Sequence, residues 1–309
     1  MQIPSRGGFS NGWQSWHPVP GVTLELFHWQ GSQAGKQALV IAGIHGDEYE
    51  GPAAIAEFVS RVDPARLCGS LTAVPVANPP AFHAGTRTNP DGMNLARCFP
   101  GNPNGCATER LAAALFSRLV PGTDYLIDLH SGGVEYLFLP VAGFYGDPSP
   151  QNRSFAAARQ FGLRALWRLP ETNGVLSWEA SKHGVVAIGN EYSGAGQLSV
   201  EGVAEYRQGI MQCLTAWGMY EAELSAPARQ QLLFGDWRLA GSTGLFRSHV
   251  SLGQRVAQGQ LLAATMSSRD TVLEEFVAAS DGIVGGLRSK AFIRESNWAV
   301  LVLKESQVE

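Results

Sequence analysis

The sequence predicts an α/β fold with a mainly parallel sheet, followed by a small all-β module. Two observations support this prediction. Through the first two thirds of the chain, strand-like apolar runs alternate with helical patterns, which is typical of layered α/β proteins. After about residue 225, short strand-like runs are separated by glycine and polar turns with little helical period, which is typical of an all-β module. We therefore expect one domain at residues 1–225 and a barrel-sandwich-like β module at residues 226–309.

Hydrophobic periodicity places the elements of the first domain. Residues 22–29 alternate like a half-buried strand, and residues 36–44 form the continuous apolar run of a central parallel strand. Helical spacing follows at residues 51–62, where Pro52 suits a first turn. The remaining predicted elements are strands at 70–78, 123–131 and 184–193, and a helix at 108–120 with Thr108 as its N-cap.

Composition excludes several functional classes. Of the 309 residues, 45% are hydrophobic and 16% are charged, which suits an ordinary globular core. The net charge of −4 and the lack of a basic run make nucleic acid an unexpected partner. The start of the chain has no apolar signal region and no stretch reaches 18 apolar residues, so we expect no membrane span and a cytoplasmic protein. The cysteines form no C-x-x-C pair, which favours reduced thiols: Cys68, Cys98, Cys106 and Cys213.

Polar side chains follow three of the predicted strands. The strand at 36–44 leads into His45 and Glu48, the strand at 123–131 ends with His130 and Ser131, and the strand at 184–193 has Glu191 near its end. In open α/β sheets, ligands bind beyond the carboxyl ends of the strands. This coincidence predicts a functional site at that edge of the sheet.

His45, Glu48 and His130 form a candidate metal site. Catalytic zinc commonly has three nitrogen, oxygen or sulfur ligands from the protein and one open position. His45 and Glu48 lie three residues apart where a loop enters a helix, and His130 can supply the third ligand. The alternative is that His45 caps the helix while Asp47, Glu48 and Glu50 favour its positive N-terminus. If His45 and Glu48 bind a metal, Asp47 and Glu50 either stabilise the positive N-terminus of the helix or orient the ligands.

Three further residues suit hydrolysis. A metal-activated water needs a base, and Glu191 after a buried strand is the candidate. Its alternative role is an ordinary salt bridge at a strand end. Arg87 and Arg97 lie in the polar segment 77–101, where their guanidinium groups can bind a carboxylate or an oxyanion. Alternatively, both arginines are simply solvated at the surface and bind no ligand.

Several linked motifs then carry a family resemblance. In chain order they are AGIHGDEYEG, PVANPPAF, GTRTNPDGMNLARCFPG, TERLA, DLHSGG and GNEYSGAG. Their order resembles that in the succinylglutamate desuccinylase/aspartoacylase family of the zinc-carboxypeptidase superfamily. The match runs through most of residues 35–200, and the trailing β module also resembles the family.

The resemblance implies a zinc-carboxypeptidase-like catalytic domain that cleaves a small N-acyl amino acid into a carboxylate and an amine. It implies one zinc ion per chain and leaves a homo-oligomer open. The positions that match the family's motifs are His45, Glu48 and His130 (metal ligands), Glu191 (general acid/base), Arg87 (oxyanion) and Arg97 (substrate carboxylate).

One position departs from the family. The family usually has Asn-Arg where this chain has Ala96-Arg97. Losing one hydrogen bond to a charged group costs roughly 1.5–3 kcal/mol. Asn94 is a candidate to replace the missing amide as a substrate-binding residue. The sequences of these motifs resemble those of the bacterial branch of the family that deacetylates N-acetyl-diaminobutyrate-type compounds.

Other functions stay open on the sequence alone. A metallo-carboxypeptidase acting on peptides would share the metal site, and a family member with altered or lost activity would only bind ligand. The G-x-S-x-G string at residues 8–12 has no strand before it, so it does not fit a serine hydrolase. The size of the substrate that the β module admits would separate the metallo-carboxypeptidase from the small-molecule deacylase.

Overall fold

The structure is a computed structural model and describes residues 9–223 and 230–305. The predicted boundary between residues 225 and 226 lies outside these residues. The strands before it are Gly12–Val19 (β1), Val22–Gln30 (β2), Gln37–Ala42 (β3), Ser70–Val74 (β4), Tyr125–Leu129 (β5), Tyr136–Phe144 (β6), Ala165–Arg168 (β7) and Val186–Gly194 (β8). The helices are Glu50–Arg61 (α1), Pro79–Ala84 (α2), Ala107–Leu119 (α3), Arg153–Phe161 (α4), Leu176–Ser181 (α5) and Val200–Ala216 (α6).

Only strands occur in the described residues after the boundary. They are Gln231–Phe234 (β9), Trp237–Leu239 (β10), Gly244–Ser248 (β11), Arg255–Val256 (β12), Leu261–Met266 (β13), Val272–Val277 (β14), Gly282–Arg288 (β15), Phe292–Ile293 (β16) and Trp298–Glu305 (β17). This agrees with the all-β secondary structure that the sequence predicts for the last part of the chain.

The main sheet is mixed rather than mainly parallel. Strands β4, β3, β5 and β8 pair in parallel and form its centre. β1 and β2 add to one side as an antiparallel hairpin, and β6 pairs antiparallel with β8 on the other. The sequence pattern did not reveal this, because a buried strand has the same apolar composition in either direction. The parallel centre still places the ends of β3, β5 and β8 at one edge.

Helices cover both faces of this centre. In β3, alternate side chains belong to two separate cores: Ala38, Val40 and Ala42 face one, and Leu39 and Ile41 face the other. The first core contains apolar residues of α1, α4 and α6, and the second contains those of α3 and α5. Burial on both faces explains why residues 36–44 read as an uninterrupted apolar run.

The predicted N-cap of α3 is wrong by two residues. Cys106 occupies the N-cap position, and its backbone N–H donates to the carboxylate of Glu109 at 2.8 Å. Thr108 lies inside the first turn, where its hydroxyl donates to Asp91 at 2.7 Å. An acid from the preceding loop therefore serves the positive end of α3, which local sequence spacing does not show.

The C-terminal strands continue the main sheet. β9 pairs in parallel with β7 and antiparallel with β17, and β15 pairs with β6. A four-stranded sheet in the order β14-β13-β11-β16 shares a core with β15 and β17. None of the helices in the described part of the chain has the length and hydropathy needed to cross a bilayer.

Candidate active site

His45, Glu48 and His130 meet at the carboxyl edge of the parallel strands. His45 and Glu48 lie between β3 and α1, and His130 directly follows β5. One nitrogen or oxygen atom from each lies within 4.8 Å of the others. Gly46 lets the loop that carries His45 and Glu48 pack against α2, since a Cβ there would lie 2.0 Å from the carbonyl carbon of Ala81. The structure thus brings together the three side chains that the sequence predicts as metal ligands.

Both imidazoles direct the same ring nitrogen at Glu48. His45 Nδ1 lies 2.7 Å from Glu48 Oε1, and His130 Nδ1 lies 2.9 Å from Glu48 Oε2. His45 Nδ1 is buried and has no hydrogen-bond partner with suitable geometry among the described residues. Two imidazole nitrogens and a carboxylate converge on one point, and the nitrogen of His45 has no hydrogen-bond partner in the described part of the chain. This arrangement fits a catalytic zinc site.

The other nitrogen of each imidazole contacts a supporting oxygen. His45 Nε2 lies 3.1 Å from Asn94 Oδ1, and His130 Nε2 lies 3.1 Å from Asp128 Oδ1. With a metal on Nδ1, the proton of each imidazole would sit on Nε2 and face this oxygen, an arrangement typical of metal-bound histidine. Asp128 is fully buried. Sequence reasoning missed it, although its spacing of two residues from His130 places both on one face of an extended chain.

Replacing Asp128 with asparagine should weaken zinc binding about 10–100-fold, because His130 would lose the carboxylate that orients it. Competition with a chelator of known affinity measures this directly. Asp147→Asn, at a side chain that is 84% exposed, is the matched control and should bind zinc like the wild type. Equal affinity in the Asp128 variant would show that His130 is oriented without this contact.

Asn94, the candidate substrate-binding residue, contacts His45 and the backbone of its own loop. Its Oδ1 accepts a hydrogen bond from the Ala96 N–H at 2.9 Å as well as contacting His45. It is not among the residues that line the cavity described below, whereas Ala96 is. These contacts favour a role for Asn94 in orienting His45.

Charge is unevenly divided among the three candidate ligands. Burial and the nearby Arg87 lower the pKa of His45 to about 4. Burial also opposes a charged His130, but Asp128 and Glu48 outweigh it and raise the pKa of His130 well above its usual value. Burial likewise opposes ionisation of Glu48, yet the two imidazoles hold the pKa of this carboxyl well below its usual range. Glu48 therefore stays ionised, as a carboxylate ligand to a metal must be.

Glu191 and Arg87 complete the inner site. Glu191 lies in β8, and its Oε2 is buried without a hydrogen-bond partner among the described residues. Burial and then the charge of Glu48 raise the pKa of Glu191 well above that of an ordinary carboxyl group. Arg87 Nη1 donates to Glu48 Oε1 at 2.9 Å. A buried carboxyl with a raised pKa, close to the ion pair of Arg87 and Glu48, is typical of a proton-transfer group.

A cavity of about 440 Å³ connects these groups. Its polar lining includes His45, Arg87, Arg97, His130 and Glu191. Its apolar wall consists of Trp167, Leu169, Pro170, Val175, Trp237, Leu239 and Trp298. Strands β10 and β17 supply three of these wall residues, so the C-terminal strands enclose part of the cavity. The sequence held no local signal for that wall.

The cavity also contains a pair of hydroxyl groups that sequence reasoning missed. Tyr145 Oη lies 3.0 Å from Ser177 Oγ, and both residues line the cavity. Burial raises the pKa of Tyr145, so its phenol stays protonated at neutral pH.

Asp47 and Glu50 hold the loops that carry the other groups. Asp47 Oδ2 accepts a hydrogen bond from the Val134 N–H at 2.8 Å, in the loop after His130. Glu50 Oε1 accepts one from the Ser199 N–H at 3.0 Å, in the loop after β8. The acidic cluster at 45–50 therefore combines two candidate ligands with two carboxylates that fix neighbouring loops.

Comparison with known proteins agrees with this geometry. Residues 34–217 match the model of the succinylglutamate desuccinylase/aspartoacylase catalytic domain. The chain belongs to this family. The resemblance predicted from the motifs is thus confirmed.

The chain is also similar to one enzyme and to two solved structures. The N-alpha-acetyl-L-2,4-diaminobutyric acid deacetylase of Halomonas elongata is 33% identical over 271 residues, which cover 84% of this chain and 79% of that protein. The product-bound ectoine utilization protein EutE of Ruegeria pomeroyi is 29% identical with a TM-score of 0.85, covering 98% and 97% of the two chains. A succinylglutamate desuccinylase/aspartoacylase of Rhodobacter sphaeroides is 26% identical with a TM-score of 0.85, covering 96% and 97%.

Proposed function

We propose that the protein is a zinc-dependent deacylase that hydrolyses the amide of a small N-acyl amino acid. The observation that carries this proposal is the convergence of His45, Glu48 and His130, two of which line one cavity with Glu191. The deacetylase relative from Halomonas elongata supports the reaction class. An N-acetylated diamino acid is accordingly the first substrate to test.

A zinc ion held by the three ligands would polarise the amide carbonyl and lower the pKa of a water molecule. Glu191 would take a proton from that water as its oxygen adds to the carbonyl carbon. Burial stabilises the neutral form of Glu191, so the side chain can hold the proton until the leaving nitrogen accepts it. The C–N bond then breaks, and the products are a carboxylate and an amine.

Two arginines would bind the negative groups of the substrate. Arg87 lies beside Glu48 and can donate to the carbonyl oxygen as charge develops on it. Arg97 is more exposed and lines the same cavity, where its planar guanidinium suits a carboxylate. Ala96 lines the cavity beside it and offers no donor, so Arg97 carries more of the carboxylate binding than in relatives with asparagine there.

A small-molecule substrate is favoured over a peptide. Trp237, Leu239 and Trp298 close one side of the cavity, and its volume of about 440 Å³ suits a compact ligand. A carboxypeptidase acting on peptides needs room for the rest of the substrate peptide.

The test measures the zinc content of the purified protein and the hydrolysis of N-acetyl and N-succinyl amino acids before and after chelation. We expect one zinc ion per chain and amine release that stops on chelation and returns with zinc. N-acetyl-L-2,4-diaminobutyrate, N-acetyl-L-aspartate and N-succinyl-L-glutamate separate the acyl and amine preferences. Bound zinc with no amide turnover would favour a ligand-binding protein, and hydrolysis of C-terminal peptide bonds alone would favour the carboxypeptidase.

A further inference from the structure

Trp298 lies beside both arginines of the cavity. The Cζ atoms of Arg87 and Arg97 are each 5.9 Å from the centre of its indole ring. A guanidinium group within about 6 Å of an aromatic face is attracted by the negative potential of that face. One ring therefore contacts the two cations to which the proposed mechanism assigns different parts of the substrate.

Other aromatic rings hold this indole in place. Trp298 stacks on Trp237, with ring centres 5.2 Å apart and planes 9° from parallel. Tyr136 lies 5.4 Å from Trp298 and also contacts Arg87, whose Cζ is 5.7 Å from its ring. Arg87 is thus held by two aromatic rings and its hydrogen bond to Glu48.

Arg97 has a weaker set of contacts. Its Nη1 donates to the carbonyl of the neighbouring Ala96 at 2.8 Å, and Trp298 is the ring beside its guanidinium group. Two like charges beside a single ring repel each other, and the ring face offsets part of that repulsion. Without the indole, Arg97 would be free to turn away from Arg87 and out of the cavity.

We propose that Trp298 is a positioning residue that sets the spacing of Arg87 and Arg97, so that the C-terminal strands take part in substrate recognition. This inference rests on the proposed function, because it uses the roles assigned there to the two arginines. It predicts that the preference for a free carboxylate on the substrate depends on an aromatic ring at position 298.

The test compares wild-type protein with Trp298→Ala and Trp298→Phe, using N-acetyl-L-2,4-diaminobutyrate and its carboxamide. The carboxamide keeps the scissile amide and removes the negative charge. In Trp298→Ala, the ratio of kcat/KM for the acid to that for the carboxamide should fall about tenfold, mainly through KM for the acid. Trp298→Phe keeps an aromatic face and should restore most of the ratio.

Zinc content and melting temperature separate positioning from a general structural effect. The matched control is Trp13→Ala, which removes a half-exposed tryptophan from the far edge of the sheet and should leave the ratio unchanged. An unchanged ratio in Trp298→Ala, or an equal loss in Trp298→Phe, would overturn the inference.

Binding measurements keep the inference testable if the wild type hydrolyses neither compound. Calorimetric titration of the zinc-loaded protein with the acid and with the carboxamide then gives the same ratio as dissociation constants. A tenfold fall in that ratio in Trp298→Ala would support the positioning role while the proposed reaction fails. A wild type that does not distinguish the two ligands would overturn the inference, since Arg97 would then bind no carboxylate.

Discussion

Replacing Glu191 with glutamine should lower kcat/KM for amide hydrolysis by about 10³-fold while zinc remains bound. Glutamine has nearly the same shape but cannot take a proton from water, and general acid–base catalysis contributes about 10²–10⁴-fold. The three candidate ligands are untouched by this change. Steady-state kinetics and metal analysis on the same preparation measure both quantities.

Stability gives an independent check on the Glu191 variant. Burial raises the pKa of Glu191, so its ionised form carries a cost in the folded protein that a neutral glutamine does not. The melting temperature should therefore stay the same or rise slightly. The matched control is Glu201→Gln at an exposed position on α6, which should keep full activity. Unchanged hydrolysis in the Glu191 variant would exclude it as the proton-transfer group.

Replacing His45 with alanine should abolish stable zinc binding and activity together. The change removes one of three ligands, and each ligand contributes a large share of the binding free energy of a structural or catalytic zinc. We expect the affinity for zinc to fall by at least about 10³-fold, so that the purified variant contains little metal. Metal analysis after dialysis, followed by chelator competition, measures the loss.

The His45 variant needs a control for the removal of an imidazole. His249→Ala removes an exposed imidazole from the loop after β11 and should retain one zinc ion and full activity. Wild-type zinc content in the His45 variant would disprove its role as a ligand. Zinc loss with activity intact would disprove the role of the metal in hydrolysis.

The sequence predicted the centre of the site because its signals are local. β3, β5 and β8 are apolar runs that end in polar residues, and parallel strands bring such ends together. The spacing of His45 and Glu48 within one loop is also a local pattern. His130 followed because it directly follows a strand of the same parallel group.

The rest of the site depends on contacts between distant parts of the chain. Trp298 lies more than 200 positions beyond Arg87 in the sequence, and no pattern around either residue indicates that they touch. The direction of β6 was equally hidden, since its partners β8 and β15 lie far along the chain. Asn94 was a candidate for substrate binding because it could replace the amide that is missing at Ala96. Its contact with His45 depends on how that loop folds back over β3.

The pairing of β15 with β6, and of β9 with β7, limits how the C-terminal strands can change during evolution. The backbone amides and carbonyls of β6 and β7 find partners in strands that lie about 65–150 positions further along the chain. Exchanging or deleting that region would uncover strand edges that readily join other chains. Its strands also carry Trp237 and Trp298 into the cavity. Selection for a new substrate at this wall is therefore also selection on the integrity of the sheet.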